Sequence, residues 1–261
     1  MSENQSPIQT SIEGCAGVIL LSRPEKFNCL STSVFQGINA ALDEFENNST
    51  VRAILLCSTG KHFCTGADLD EVTALLADSE ALKKFTAYGH GVLRRMEQSK
   101  LPVVAAVQGL CLAGGIELML GCDVGFAADS ARFGDQHAQY GLIPGWGGSQ
   151  RLPRLAGRRR ALDLLFSARW ISATEAREWG LINYVVPDAE LRSAALEYCQ
   201  KIGTRSRSGI ALMKKLVDQG LDMNIDDGIK LECDLAVPAL QSGDVSEGLD
   251  AFRNRRTPNF K

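Results

Sequence analysis

Three glycine-rich loops each follow an apolar, strand-like run: residues 60–68 (GKHFCTGAD), 109–115 (GLCLAGG) and 141–148 (GLIPGWGG). Glycine lets a backbone approach a ligand closely and take positive φ values. The second loop runs directly into the apolar helical segment 116–121. Free N–H groups and the positive end of that helix would therefore face out of the loop. Such a place suits an oxyanion better than a whole pyrophosphate. Neither a P-loop spacing nor GxGxxG occurs, so nothing supports a cradle for ATP or NAD. Taken one at a time, the loops could equally do no more than shape turns.

Glu117 lies in GGIELMLG, a run that is otherwise apolar. Burying a carboxylate there is costly unless it is hydrogen-bonded or does work. The bland alternative is a partner for the helix N-terminus, worth roughly 0.3–1 kcal/mol. The chain has 3 histidines, His62, His90 and His137. His62 reads as a loop residue, and His90 sits in a helical stretch beside Tyr88 and Gly89. Cys64 has no evident base beside it and reads as packing rather than a nucleophile. Arg158, Arg159 and Arg160 read as a solvated helix start, and no cluster of His, Cys and carboxylate has metal-ligand spacing.

These residues must be positioned by an alternating framework. Strand-like runs are predicted at residues 17–22, 51–57, 103–107 and 124–127. A helix at 32–45, with Ser31 or Thr32 as cap, carries Val34, Phe35, Ile38, Ala41, Leu42 and Phe45 at helical spacing. A charged helical stretch spans about 70–98, and a short apolar helix closes the second glycine loop. The β-α-β-α order predicts an α/β core with buried, largely parallel strands. From Arg158 onward the pattern is almost wholly helical. Ser172 and Glu175 have capping-box spacing, and further helices are predicted at 190–202, 210–220, 226–240 and 246–252. The division predicted is an α/β core over 1–190 and a helical region over 191–261.

A chain of 261 residues fits one large domain or a domain with an appendage, and buries enough surface to need no disulfide or metal staple. With 45% hydrophobic and 23% charged residues it is neither disordered nor a membrane protein. A net charge of −3 disfavours a nucleic-acid partner. The 8 cysteines are scattered without a CxxC pair, as expected of reduced thiols in the cytoplasm. The polar N-terminal stretch 1–14 lacks the regions of a signal peptide, and no apolar run is long enough to span a bilayer.

Taken together, RPEKFNCLS, HFCTGADLDE, VVAAVQGLCLAGGIELMLGCD, ARFGDQHAQYGLIPGWGGSQRLPRLAG and AREWGLINYVV resemble the enoyl-CoA hydratase/isomerase (crotonase) superfamily. The resemblance runs from Gly14 to the EGLDAF segment, nearly the whole chain. It implies a crotonase-like spiral of ββα units with a helical C-terminal trimerisation region. It also implies an acyl-CoA thioester substrate within lipid metabolism, no separate cofactor because coenzyme A is part of the substrate, and a homotrimer or homohexamer. By the motifs, the N–H groups of Ala67 and Gly114 hold the thioester oxygen, as two donors facing a developing enolate should. Ala67, Asp68, Leu69 and Asp70 line the path of the CoA arm. Phe252 lies near the CoA adenine of a neighbouring subunit, and His90 lies near where acyl chains run. The alternative for the arginine run 158–160 is a contact with CoA phosphates.

Glu117 matches the first glutamate of the hydratases. The second should fall in FGDQHAQYGLIPG, and its position is occupied by His137. Histidine exchanges protons near neutral pH, with charge states one unit away from those of glutamate. Asp135 would stand in if the loop register differed. The reaction implied is hydration of a 2-enoyl-CoA, with Glu117 positioning water and His137 as proton donor or second water ligand. Rivals are double-bond isomerisation, retro-Claisen hydrolysis of a β-keto acyl-CoA, and a catalytically weak acyl-CoA-binding protein.

Overall fold

A computed structural model describes residues 6–260. The first five residues of the polar N-terminal stretch lie outside the described residues. The chain opens with a hairpin of β1 (Ile8–Glu13) and β2 (Ala16–Leu21), turning at Gly14, and continues through α1 (Thr32–Asn47) to β3 (Ala53–Ser58). Next come α2 (Leu69–Leu75), α3 (Ser79–Gln98), β4 (Val103–Val107), β5 (Leu110–Leu112) and α4 (Gly114–Leu120). The middle of the chain forms β6 (Val124–Ala128), β7 (Arg132–Gly134), a 3₁₀ turn at His137–Tyr140, α5 (Gly148–Ala156) and α6 (Arg158–Ser167). Then follow β8 (Ile171–Ser172), α7 (Ala173–Glu178), β9 (Tyr184–Val186), α8 (Leu191–Gly203), α9 (Arg207–Gly220), α10 (Ile225–Leu240) and α11 (Gly243–Arg253).

The main sheet has the order β1-β2-β3-β4-β6-β9, antiparallel only between β1 and β2. Its central strands are fully buried apolar runs, VVAAV in β4 for example, as parallel strands covered on both faces require. A second, smaller sheet has the order β5-β7-β8, and the backbone at Cys64 pairs in parallel with that of Cys111 in β5. The chain thus passes from the main sheet into the second and then into a helix. It does so in β4-β5-α4, and again where β3 leads through Cys64 to α2. These are the ββα turns of the expected spiral, and they set the starts of α2 and α4 side by side. Helix α8 lies on β2, β3, β4 and β6, while α9 packs on α3 and α10.

Ser31, rather than Thr32, caps α1, its hydroxyl accepting from the Val34 N–H at 3.3 Å. Other expectations need correction. The stretch 70–98 is two helices, because Asp78 accepts from the N–H groups of Glu80 and Ala81 and starts α3 afresh. Strand β1 was not expected, since its IQTSIE sequence is mostly exposed on a sheet edge and carries little apolar signal. The region after Arg158 includes β8 and β9, two and three residues long, too short for a periodicity to register. Ser172 does cap α7 through the Glu175 N–H, but the Glu175 carboxylate pairs with Arg169 instead of closing a capping box. Ser206 and Ser242 act as caps, so α9 and α11 begin at Arg207 and Gly243, three residues before expectation. Among the described residues no helix is long and apolar enough to cross a membrane.

Candidate active site

Glu117 is 0% exposed, one turn into α4. Its Oε1 accepts the N–H groups of Trp146 and Gly148, each at 2.7 Å. The PGWGG loop can make this approach because Gly147 sits at φ 99°, where a side chain would be strained. A Cβ at Gly148 would lie 3.2 Å from the Glu117 carboxylate. Arg151 fixes the loop from behind, donating to the Trp146 carbonyl at 2.7 Å and pairing with Glu97 of α3. These bonds leave Glu117 Oε2 buried with no hydrogen-bond partner among the described residues.

His137 is buried in the 3₁₀ turn, and Asp135 two residues earlier takes hold of it twice. The Asp135 carboxylate oxygen lies 2.9 Å from His137 Nδ1 and accepts the His137 backbone N–H at 3.2 Å. That contact aims Nε2 at Glu117 Oε2, 4.0 Å away. The gap is too long for a direct hydrogen bond and short enough for one water to bridge. Burial pushes the Glu117 carboxyl above its ordinary value, against the lowering effect of the Gly148 and Trp146 donors. Burial alone would lower the His137 imidazole. The Asp135 and Glu117 carboxylates outweigh it, so the ring titrates above its ordinary value.

Above this pair stand the two expected backbone donors. Leu30 bridges Ala67 in parallel fashion, using Gly66 O and the Asp68 N–H, so the Ala67 N–H points away from Leu30. Gly114 opens α4 after Ala113, a non-glycine residue at φ 48° and ψ −118°. Such a conformation stores on the order of 1–3 kcal/mol and turns the following N–H out of the chain path. Neither N–H has a partner among the described residues. The two turns touch: a Cβ at Gly66, itself at φ 116°, would lie 3.5 Å from Gly114 N. Ala67, Glu117 and His137 line one cavity of about 130 Å³, walled by apolar side chains and Thr86.

The other expected residues are distributed around this centre. Leu69 lines the cavity. Asp68 caps α2 and pairs with Arg23 at 2.9 Å, and the exposed Asp70 pairs with Lys26, so both brace the loop that carries Ala67. Within the single chain Phe252 lies apart from this cavity, 83% exposed on α11. His62 accepts the Leu110 N–H on Nδ1 and holds the two glycine turns together, away from the cavity. His90 lines a shallow groove along α3 that shares Leu82 and Thr86 with the site. Cys64 is fully buried, which pushes its thiol up to about 12, as packing residues are. Sequence reasoning placed Asp135 only as a stand-in for His137 and missed Trp146. The i, i+2 carboxylate–histidine spacing was the available signal for the first.

A family profile described as enoyl-CoA hydratase/isomerase matches residues 11–261. A short-chain-enoyl-CoA hydratase of Clostridium acetobutylicum is 35% identical over 251 residues, covering 95% of each chain. A probable enoyl-CoA hydratase of Mycobacterium tuberculosis is 35% identical over 244 residues, covering 94% of this chain and 93% of its own. The crystal structure of an enoyl-CoA hydratase from Bacillus anthracis superposes with a TM-score of 0.93 at 34% identity, over 98% of this chain and 99% of the other. The likeness spans both glycine turns, α4 and the loop that holds Glu117, not the sheets alone. On this agreement of sequence, fold and extent, the chain belongs to the enoyl-CoA hydratase/isomerase family.

Proposed function

We propose that this enzyme hydrates 2-enoyl-CoA thioesters, using Glu117 as base and His137 as acid. The observation that carries the reading is the buried, unpartnered Glu117 Oε2 facing His137 Nε2 across 4.0 Å, in one cavity with Ala67. The thioester oxygen accepts the N–H groups of Ala67 and Gly114. A water held by Glu117 Oε2 gives its proton to the carboxylate as its oxygen bonds to Cβ. The electrons of the double bond move onto the thioester oxygen, where the two N–H groups stabilise the enolate. The imidazolium of His137 then protonates Cα from the same side. One carboxylate and one imidazolium supply the base and acid that two carboxyl groups, one ionised and one protonated, would otherwise supply. No separate cofactor enters, since coenzyme A arrives with the substrate. Asp68, Leu69 and Asp70 flank its path.

A second reading rests on the His137–Asp135 contact. A neutral imidazole oriented by a carboxylate is a general base, and one that activates water against a β-keto acyl-CoA would hydrolyse it. A panel of 2-enoyl-, 3-enoyl- and β-keto acyl-CoA thioesters separates hydration from isomerisation and hydrolysis. Crotonyl-CoA should lose its enoyl absorbance, and Glu117→Gln should lower kcat by ~10²–10⁴ while acyl-CoA binding persists. A Glu117→Gln enzyme within threefold of wild type, or a wild type that acts only on β-keto thioesters, would sink the hydratase assignment.

We further infer a homotrimer, or a hexamer of two trimers. Helices α9 to α11 expose Met213, Val217, Leu221, Ile225, Ile229 and Phe252, and an apolar groove of about 820 Å³ lies among them. In such an assembly Phe252 reaches the CoA of a neighbouring copy. All 8 cysteines are unpaired, which favours a reducing, cytoplasmic setting.

A further inference from the structure

Two large buried side chains, Trp146 and Phe85, line the cavity at Glu117, and Trp146 is the larger. The Trp146 indole is 5% exposed and spans the space between the start of α4 and the middle of α3. A Cβ at Gly114 would lie 2.8 Å from its Cζ3, and one at Gly89 would lie 2.3 Å from its Nε1. Glycine at both positions therefore makes room for this ring. Phe35 and Phe85 meet it edge-on, with centroids 5.0 and 5.4 Å away. The indole N–H has no partner among the described residues, so packing holds the ring.

We propose that Trp146 limits the acyl chain that this site takes, its indole closing a cavity fit for short acyl groups. The inference rests on the reading of the site as an acyl-CoA site. About 130 Å³ is available, including space for the reacting carbons, and an apolar cavity of ~150 Å³ just holds benzene, so acyl groups of about six carbons or fewer fit. Leu82 and Thr86 also line the groove along α3, which offers a longer chain an alternative course.

The test compares C4, C6 and C10 2-enoyl-CoA hydration in wild type and Trp146→Ala. Calorimetric binding of saturated butanoyl-, hexanoyl- and decanoyl-CoA reads chain length without turnover. Wild type should favour C4 over C10 at least about tenfold, and Trp146→Ala should shift that ratio toward C10 by at least the same factor. Trp146→Phe, which keeps an aromatic ring against Phe35 and Phe85, should shift it in the same direction by less, and it serves if the alanine variant fails to fold. A C4-to-C10 ratio within threefold in wild type would mean that the chain leaves along α3, and would overturn the proposal, as would an unchanged ratio in both variants. Length-selective binding without hydration would sustain this inference and reject hydration. No binding at any length would reject both.

Discussion

Glu117 and His137 differ in what each protonation state can do, and pH therefore reports which of them gives and which takes. Both groups titrate above their ordinary values, Glu117 from burial, His137 because two carboxylates outweigh its burial. If the working form is carboxylate plus imidazolium, kcat/KM falls below the Glu117 pKa and again above the His137 pKa. The acid limb then lies above ~4.3 and the alkaline limb above ~6.5, the unperturbed values. Asp135→Asn removes the main neighbour that raises the imidazole, so the alkaline limb should move to lower pH, and the acid limb should follow by less, since the Asp135 charge is only a minor contributor to the raised Glu117 carboxyl. A neutral-imidazole base would invert this, with activity rising through the histidine pKa and Asp135→Asn extending activity toward acid. His137→Ala should lose at least ~100-fold. At this scale the sequence was legible where chemistry conflicts with environment, as with a carboxylate in GGIELMLG. It was silent on Trp146, because an indole in a glycine loop has no pattern until Gly89, far along the chain, is seen beneath it.

The helices that frame the site are tied to the sheet by polar contacts as well as apolar faces. Lys214 of α9 donates to the carbonyls of Met96 and Leu101 at 2.9 and 3.2 Å and to Asp123 at 2.7 Å. Asp123 in turn accepts the Val103 N–H that begins β4, at 2.7 Å. One ammonium thus joins the end of α3, the start of β4 and the approach to β6. Lys214→Met should lower stability by about 2 kcal/mol, since it strands a carboxylate and two carbonyls near the core. Urea denaturation measures this, and a loss under 0.5 kcal/mol would mean that water replaces the ammonium freely. Such a link joins residues far apart in the chain and is invisible to periodicity. By contrast α1 was readable, because its six apolar positions are local, and its cap was narrowed to Ser31 or Thr32 before the structure chose Ser31. Strands β8 and β9 were not, because strands this short are defined by their neighbours.

For the whole molecule, the apolar positions on α9, α10 and α11 face outward in the single chain. Light scattering at micromolar concentration should give a trimer or a hexamer, and charged substitutions at Met213 and Val217 together should lower the mass. A monomeric wild type would contradict the assembly. The class of fold was legible because VRAILLC and VVAAV, short apolar runs closed by turn or loop residues, read as buried strands. The second sheet was not, because its strands are only two or three residues long and begin without a change in composition. The main sheet carries a further consequence for how the protein is made. Strands β1, β2, β3, β4, β6 and β9 stand side by side in the order in which a ribosome releases them. Each new strand finds its neighbour already present, so the sheet can grow outward during synthesis without threading. The helix laid across β2, β3, β4 and β6 comes after all of these strands, with its own Leu191, Ala195 and Cys199 buried. At roughly 5–20 residues per second, on the order of ten seconds separate the end of β4 from the end of α8. Throughout that interval the middle of the sheet is bare, and a nascent chain halted at residue 190 should be caught by chaperones or sediment as aggregate.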